Sequence, residues 1–393
     1  MDYDVVVIGA GPGGCGAALS AASQGLNVLV VEKRQEIGAP KRCGEGLSRS
    51  SLERMGVELD KRWVNREIMG ATVYAPNGKP VRIDYKDGPE GWVIERKIFD
   101  KFLARKAAKA GAKVLAKTEA LGLIKDGNKI TGVKLESSGE TWDVRTKIVI
   151  AADGVESKIA REAGLDTTLK LVDIASSAQF EMTGIDIDPD RIELYFGWEI
   201  APGGYVWIFP KDDDTANVGV GVRKVWTNRT ALDYLKKFVD SRPGLKKGSI
   251  IEVNSGGVPV GGLMRDMVLD NFMVVGDAAH QVNPIHGGGI SEAFVGGKIA
   301  GSVAAEAVKR NDFSKQFLER YNKLWWQERG NKLNKILKLR KVVESLSDED
   351  LNWLAEFLTG NDLIDFSRSE GLKKLAQILV KKPKLALLAR KLL

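Results

Sequence analysis

An α/β fold, with a second antiparallel sheet and a helical end, is what the sequence predicts, on three observations. Four β-branched apolar residues, Val5 to Ile8, run into closely spaced glycines and then a small-residue stretch, the pattern of a buried parallel strand, a tight turn and a helix. Two later apolar runs, Ile148 to Ile150 and Met273 to Val275, also end in a small residue, an acid and another small residue. Around residues 71–85, from Ala178 to Val222 and again from Ser249 to Val260 the spacing changes to short strands, whereas Phe317 onward reads as helices.

The first strand, from Asp4, opens the chain, and Gly9, Gly11 and Gly14 follow it with the G-x-G-x-x-G spacing; Gly13 lies in the same turn. Such a turn lets backbone approach a pyrophosphate and aims a helix N-terminus at it. Pro12 has no N–H to lose at a helix start, and Ala17, Ala18, Ala21 and Ala22 permit close packing on the sheet. The second strand, Val28 to Val31, delivers Glu32, 23 positions after Gly9, where a carboxylate can accept from ribose hydroxyls. A Rossmann-type unit binding an adenine dinucleotide is expected.

The loop Ile37 to Gly46 carries Cys43 among Lys41, Arg42 and Glu45. Basic neighbours favour a thiolate, so Cys43 reads either as functional or as a small space-filling side chain. Cys15, at the helix start, reads as packing. Residues 71–85, around Asn77-Gly78, predict an antiparallel insertion. Arg96 precedes a helix from Lys97 to Ala110, placed for cofactor phosphates or for a surface salt bridge. Short strands at 113–118, 122–125 and 130–136 lead to the strand ending at Asp153, which either holds the cofactor's edge or caps a helix from Ser157 to Ala163.

Strands at 192–198, 205–209 and 216–222 form the second sheet, followed by a helix at 232–239 and a strand-rich stretch at 249–260. Tyr205, Trp207 and Phe209 alternate onto one face, as a core or as the wall of an apolar substrate cavity. Gly276-Asp277 and Gly287-Gly288-Gly289 then precede a helix from Ile290, returning the chain to its first unit. Two histidines, His280 and His286, make no metal site; His280 reads as structural, and His286, between Pro284 and the glycine triplet, is a candidate to face the active site. One long helix from Phe317 to Leu339 and another from Asp348 to Leu358 follow.

Two cysteines cannot build a disulfide framework, which points to a reducing compartment, and no apolar run reaches the length of a membrane-spanning helix. The first strand leaves no room for a signal peptide, so a cytoplasmic protein is expected. The net charge of +7 is concentrated at the end, where residues 311–393 carry 17 Lys and Arg against 11 Asp and Glu. Leu372, Leu375, Ile378 and Leu379 share a face there, with Lys373, Lys374, Lys381, Lys382 and Lys384 around them and Leu385, Leu387 and Leu388 beyond Pro383. Attachment to the cytoplasmic face of a membrane, packing on the parent protein and nucleic-acid binding are the readings, of which the leucines disfavour the last.

Together, Gly9 to Gly14, Pro40-Lys41-Arg42-Cys43-Gly44-Glu45-Gly46, Ala152-Asp153-Gly154, Tyr205-Val206-Trp207-Ile208-Phe209-Pro210-Lys211 with Gly219-Val220-Gly221, and Gly276-Asp277-Ala278-Ala279 with Pro284 and Gly287 to Gly289 give the chain its resemblance. It resembles the geranylgeranyl reductase family of flavoproteins, especially its archaeal digeranylgeranylglycerophospholipid reductases, from Asp4 to about Glu306. The resemblance implies a para-hydroxybenzoate hydroxylase-like fold: a discontinuous FAD-binding domain (1–70, 92–165 and 266–310), an antiparallel substrate domain (71–91 and 166–265) and C-terminal helices (311–393). It implies FAD held by Gly9, Gly11, Gly13, Gly14, Glu32, Arg42, Cys43, Arg96, Ala120, Asp153, Asp277, Pro284, Gly287, Gly288, Gly289 and Ile290. Tyr205, Trp207, Phe209 and His286 would line the cavity, with Cys43 as candidate for assisting proton delivery. The implied reaction reduces isolated double bonds of geranylgeranyl chains in an isoprenoid ether phospholipid, by hydride from flavin N5 and protonation. Electrons would come from ferredoxin, NAD(P)H or a reduced deazaflavin. An FAD monooxygenase acting on another hydrophobic substrate is the alternative, and no nucleic-acid partner is expected.

Overall fold

In the computed structural model, which describes residues 2–127, 129–367, 372–382 and 385–386, the valine-rich strands lie at the centre of an eight-stranded sheet. Strand Asp2–Ile8 pairs in parallel with Val28–Val31 on one side and with Glu140–Ala151 on the other. Lys113–Leu115 and Phe272–Val274 extend the parallel part outward, and Val268–Leu269 closes it antiparallel. The long strand Glu140–Ala151 also pairs antiparallel with Lys129–Ser137, which in turn pairs with Glu119–Asp126. Val5, Val6, Val7 and Val28 to Val31 are buried throughout, as a strand covered on both faces requires.

One cover is a pair of helices from opposite ends of the sequence. Helix Pro12–Ala22 presents Gly13, Gly16 and Ala17 to helix Ile290–Arg310, which answers with Gly297 and Gly301. A methyl group at Gly297 would sit 2.0 Å from the Gly13 carbonyl oxygen, so the backbones meet at a separation that only glycine permits. The three turns that end parallel strands therefore converge at one sheet edge, because the third strand is delivered to the first helix by this contact.

The second sheet has seven strands, in the order Ser249–Pro259, Ile174–Thr183, Ala216–Val222, Tyr205–Pro210, Arg191–Tyr195, Gly70–Tyr74 and Pro80–Asp84. All of its neighbours are antiparallel except Arg191–Tyr195 with Gly70–Tyr74. The Asn77-Gly78 insertion thus adds a hairpin to this sheet. Trp198 lies beyond the strand end at Tyr195, and its indole N–H donates to the Leu346 carbonyl at 2.9 Å, tying the sheet to the C-terminal helices. A three-stranded sheet of Gly46–Ser48, Gly91–Ile94 and Val64–Ile68 bridges the two larger ones.

The expected single helix from Phe317 to Leu339 is helix Lys315–Trp325, a π-helical segment Trp326–Gly330 and helix Asn331–Val343. The wider turn places Trp325 and Trp326 both in the core, with rings edge to face at 5.7 Å, and turns Arg329 inward to a bidentate pair with Glu292 at 2.6 and 2.7 Å. The helix from Asp348 stops at Leu354, and Gly360–Ser367 forms a separate one.

The tail corrects the membrane reading of its apolar face. In helix Leu372–Val380, Leu375, Ile378 and Leu379 are buried against Leu339, Val342, Leu346 and Leu354, so that face is already covered by the protein. Lys382 pairs with Asp350 at 2.6 Å and Lys374 with Asp362, so basic residues of the tail also have partners within the chain. Leu385 is buried too, while Pro383, Lys384, Leu387, Leu388 and the side chains of Leu372 and Lys373 lie outside the described residues. No helix among the described residues is long and apolar enough to cross a membrane.

Candidate active site

A cavity of about 1360 Å³ opens where the strand-end turns converge, and its walls come from both large sheets. Ordinary small-ligand pockets hold roughly 300–1,000 Å³, so this one has room for an extended dinucleotide and an apolar chain together. Gly9, Gly11, Gly13, Glu32, Arg42, Cys43, Arg96, Ala120, Asp153, Asp277, Pro284, Gly287, Gly288, Gly289 and Ile290 all line it, as do Tyr205, Trp207, Phe209 and His286. Gly14 lies just behind, where a methyl group would stand 1.9 Å from the Gly9 carbonyl oxygen.

At the nucleotide end, a methyl group added to Gly11 would meet nothing within 4 Å, so bare backbone and the helix N-terminus face open space. Glu32 is positioned by accepting from the Ala10 and Arg34 amides, both at 3.0 Å. Asp153 caps a helix, one of the two readings its position allowed, and it also lines the cavity. One oxygen caps helix Lys158–Ala163 through the Ile159 amide at 2.9 Å, and the other is buried without a hydrogen-bond partner among the described residues; burial raises the carboxyl pKa. Asp277 lacks a side-chain hydrogen bond among the described residues, and burial pushes its pKa up to about 6. A cavity walled by glycine backbone, a helix N-terminus and two under-satisfied carboxylates suits the phosphates and hydroxyls of FAD. When bound, reduced FAD supplies hydride chemistry to the cavity's far end.

That far end is built by the aromatic strand. Trp207 lies over Gly219, where a methyl group would come within 2.2 Å of the indole, and its N–H donates to Gln179 at 2.9 Å. Gln179 in turn donates to the Cys43 carbonyl at 3.0 Å. Phe209 packs on Gly44 and Gly46, and Tyr205 donates to the His286 carbonyl at 2.7 Å, so the strand spans both glycine loops. His286 lines the cavity and accepts from the Gly288 amide at 3.1 Å. His280 is structural: its ring nitrogens meet the carbonyls of Gly262 and Thr167 at 2.6 and 3.2 Å.

Arg96 is ion-paired as one reading expected, but inward. It forms a two-point pair with Asp100 at 2.7 and 2.8 Å and reaches the Cys43 thiol; burial disfavours its charge, and these two partners outweigh that. Cys43 receives the Glu45 amide at 3.2 Å. Cys15 donates to the Ala10 carbonyl at 3.2 Å and is buried, in keeping with packing; burial drives its thiol pKa well up.

Two features lay outside the sequence reading. Lys41 and Lys211, both almost fully buried, hold Glu45, Glu95 and Glu181 in one cluster, with Lys211 at 3.2, 2.7 and 3.1 Å from them and Asn217 donating to Glu45 at 2.8 Å. Burial alone would lower the Lys211 pKa, but Glu45, Glu95 and Glu181 raise it. The cluster locks the cysteine loop to the end of the aromatic strand. Both lysines stand inside quoted motifs, which was the available signal, but charge in a loop ordinarily means solvent. Further along the cavity wall, Arg223 and Arg340 flank Glu344 at 3.5 and 3.4 Å. These three residues come from separate elements and carry no local pattern. Among the described residues, no group of three or more His, Cys, Asp or Glu side chains could hold a metal ion.

Comparison with known proteins bears on both halves of the cavity. A family model described as FAD binding domain matches residues 4–72, and one described as geranylgeranyl reductase catalytic domain matches residues 173–258. The digeranylgeranylglycerophospholipid reductase of Methanosarcina acetivorans is 48% identical over 91% of this chain and 88% of that protein. Its namesake from Methanocaldococcus jannaschii is 46% identical over 98% and 96%. Among solved structures, a geranylgeranyl bacteriochlorophyll reductase-like protein from Thermoplasma acidophilum superposes with a TM-score of 0.91, at 39% identity over 98% of this chain and 99% of that one. A flavin-dependent brominase, at 21% identity and a TM-score of 0.74, shares the fold alone.

Proposed function

The chain belongs to the geranylgeranyl reductase family, among its digeranylgeranylglycerophospholipid reductases, and from that premise we propose that it uses FAD to saturate isolated double bonds in the geranylgeranyl chains of an ether phospholipid precursor. The observation that carries this reading is the wall of Tyr205, Trp207 and Phe209, which faces the cysteine loop in the same cavity as the dinucleotide turn. An apolar wall can hold an unreactive alkene in one orientation, and orientation is what such a substrate lacks in water. Gln179 and Gly219 fix the Trp207 ring; the buried lysine–glutamate cluster fixes the loop opposite it.

Gly9, Gly11, Gly13, Gly14 and Glu32 hold the adenosine diphosphate part of FAD, with Arg42, Arg96, Ala120 and Asp153 along it. Asp277, Pro284 and Gly287 to Ile290 hold its ribityl and ring parts. Cys43 shapes or assists delivery of a proton to the second alkene carbon, a reading supported by Arg96 at its sulfur. Closure of the apolar wall around the chain excludes water from that transfer. The lipid is met at a bilayer surface, and electrons come from ferredoxin, NAD(P)H or a reduced deazaflavin. The test is anaerobic reduction of the flavoprotein followed by digeranylgeranyl glycerophospholipid, with masses read by mass spectrometry. Successive gains of two hydrogens with flavin reoxidation are expected; product formed only with dioxygen, and carrying inserted oxygen, would replace the reductase by the monooxygenase.

A further inference from the structure

Two short tracts of the sequence share a form: Lys170-Leu171-Val172 and Lys224-Val225-Trp226 each place a lysine before two large apolar residues. Each tract makes a 3₁₀ turn, over Leu171–Asp173 and Lys224–Trp226. One turn precedes strand Ile174–Thr183 and the other follows strand Ala216–Val222, and those strands pair antiparallel with Ser176 opposite Val222. The two turns therefore emerge side by side at one end of the second sheet. Their apolar side chains are turned outward: Leu171 is 66% exposed, Trp226 51%, Val172 45% and Val225 41%.

Nothing in local folding demands this exposure, since burying such side chains is favourable and solvent turns are ordinarily polar. The composition is that of a membrane interface: a tryptophan at the polar–apolar boundary, aliphatic side chains to enter it, and lysines whose stems can follow while their charges stay outside. We propose that these paired turns are the face on which the protein rests on an anionic lipid bilayer, at the end of the cavity where lipid enters. This rests on the lipid-reductase reading for the identity of what enters.

Three observations join the face to the cavity. Trp226 packs directly over Gly203 and Arg223, both of which line the cavity; a methyl group on Gly203 would stand 2.7 Å from the indole and 2.6 Å from the Arg223 stem. Arg223 is buried with no hydrogen-bond partner on any of its three nitrogens among the described residues, and it shares Glu344 with Arg340, so a charge-balanced cluster lies beneath the apolar turns. Trp226 is braced edge-on at 5.6 Å by Trp198, which is itself anchored to the Leu346 carbonyl. A rigid apolar rim flanked by Lys170 and Lys224 complements a surface of acyl chains and anionic headgroups. Among the described residues of helix Leu372–Val380, Leu375, Ile378 and Leu379 are already buried against the protein.

The experiment uses the full-length, FAD-loaded protein and co-sedimentation with phosphatidylglycerol or phosphatidylcholine vesicles. Wild type is expected to bind phosphatidylglycerol vesicles more tightly. The Leu171→Ser/Trp226→Ser variant should lose roughly tenfold or more of that affinity, the effect of withdrawing two large apolar side chains from the interface. Ile251→Ser, on the exposed edge strand Ser249–Pro259, should change nothing. Quenching of tryptophan emission by brominated lipid should fall in Trp226→Phe, which reads contact in a protein whose packing is barely altered. Unchanged binding and unchanged quenching in these variants, or equal losses in Ile251→Ser, would overturn the surface. Turnover of detergent-dispersed lipid separates the two levels: it should stay at the wild-type rate in the double variant, and its absence in wild type would sink the reductase reading while leaving the vesicle result to stand.

Discussion

Replacing Lys211 by Met removes the ammonium that three carboxylates share, while keeping a side chain of similar length. Lys41 would then be left with Glu45 and Glu181, with Glu45 completely buried and Glu95 deprived of its Lys211 partner. Removing one partner from a buried ion pair costs about 3–5 kcal/mol, because the other charge loses compensation without regaining water. For a chain of 393 residues the unfolding entropy is about 0.8 kcal/mol/K, so the midpoint should fall by about 4–6 °C. The loss should depend on pH with a definite sign. Glu181 is disfavoured as an anion by burial, yet Lys41 and Lys211 hold its pKa below the ordinary value. Its contribution is therefore present above its unfolded pKa of about 4.3 and is lost as pH falls through the lower folded value. Lys211→Met weakens that contribution, so the deficit should be largest near neutrality and shrink as pH drops below about 4. Thermal unfolding by circular dichroism across pH would measure it, with Lys211→Met/Glu95→Gln recovering part of the loss. A midpoint within a degree of wild type at neutral pH would refute the claim that this cluster locks the loop to the sheet.

Gly219→Ala should push the Trp207 ring off its seat and break its bond to Gln179, lowering turnover by about 10–100-fold, as misplacement near reacting atoms does, while FAD content by absorbance stays stoichiometric. Asp277→Asn should stabilise the flavin-free protein near pH 7.5 by up to about 3 kcal/mol and far less near pH 4. A carboxyl raised to about 6 contributes stability below its unfolded pKa that is lost as pH rises through 6, which denaturant titrations at the two pH values would read. Deleting residues 372–393 should leave vesicle binding intact but destabilise the protein by several kcal/mol, at about 1.5–3 kcal/mol for each buried leucine or isoleucine exposed, detected as a lowered unfolding midpoint.

The cofactor half was legible because its chemistry is local. Gly9, Gly11 and Glu32 stand on the cavity wall, with Gly14 just behind, by a spacing the sequence encodes, and Asp153 and Asp277 sit where strands end. The aromatic strand was half legible: alternation put Tyr205, Trp207 and Phe209 on one face, but only the sheet order brings Gly44, Gly46 and Gly219 against them. The Lys41–Glu45–Lys211 cluster was hidden because each ion looks solvated until all are seen together. The same holds for Arg223, Arg340 and Glu344. In the tail, a leucine face among lysines encodes burial without naming what buries it, and the helices at 331–354 supply that surface. The wide turn at Trp326–Gly330 left no mark in the apolar spacing that one helix would not also make.

The contact between Gly13 and Gly297 has a consequence for how the chain is made. Synthesis runs at about 5–20 residues per second, and 297 minus 13 leaves 284 residues between the two halves of that contact, so about 14–57 s pass between their appearances. During this interval the nascent dinucleotide turn has its strand and its helix but not the helix that seals them. The nucleotide site is therefore completed late in translation, after the whole second sheet has emerged, and the alanine and glycine face of the first helix stays bare until helix Ile290–Arg310 arrives.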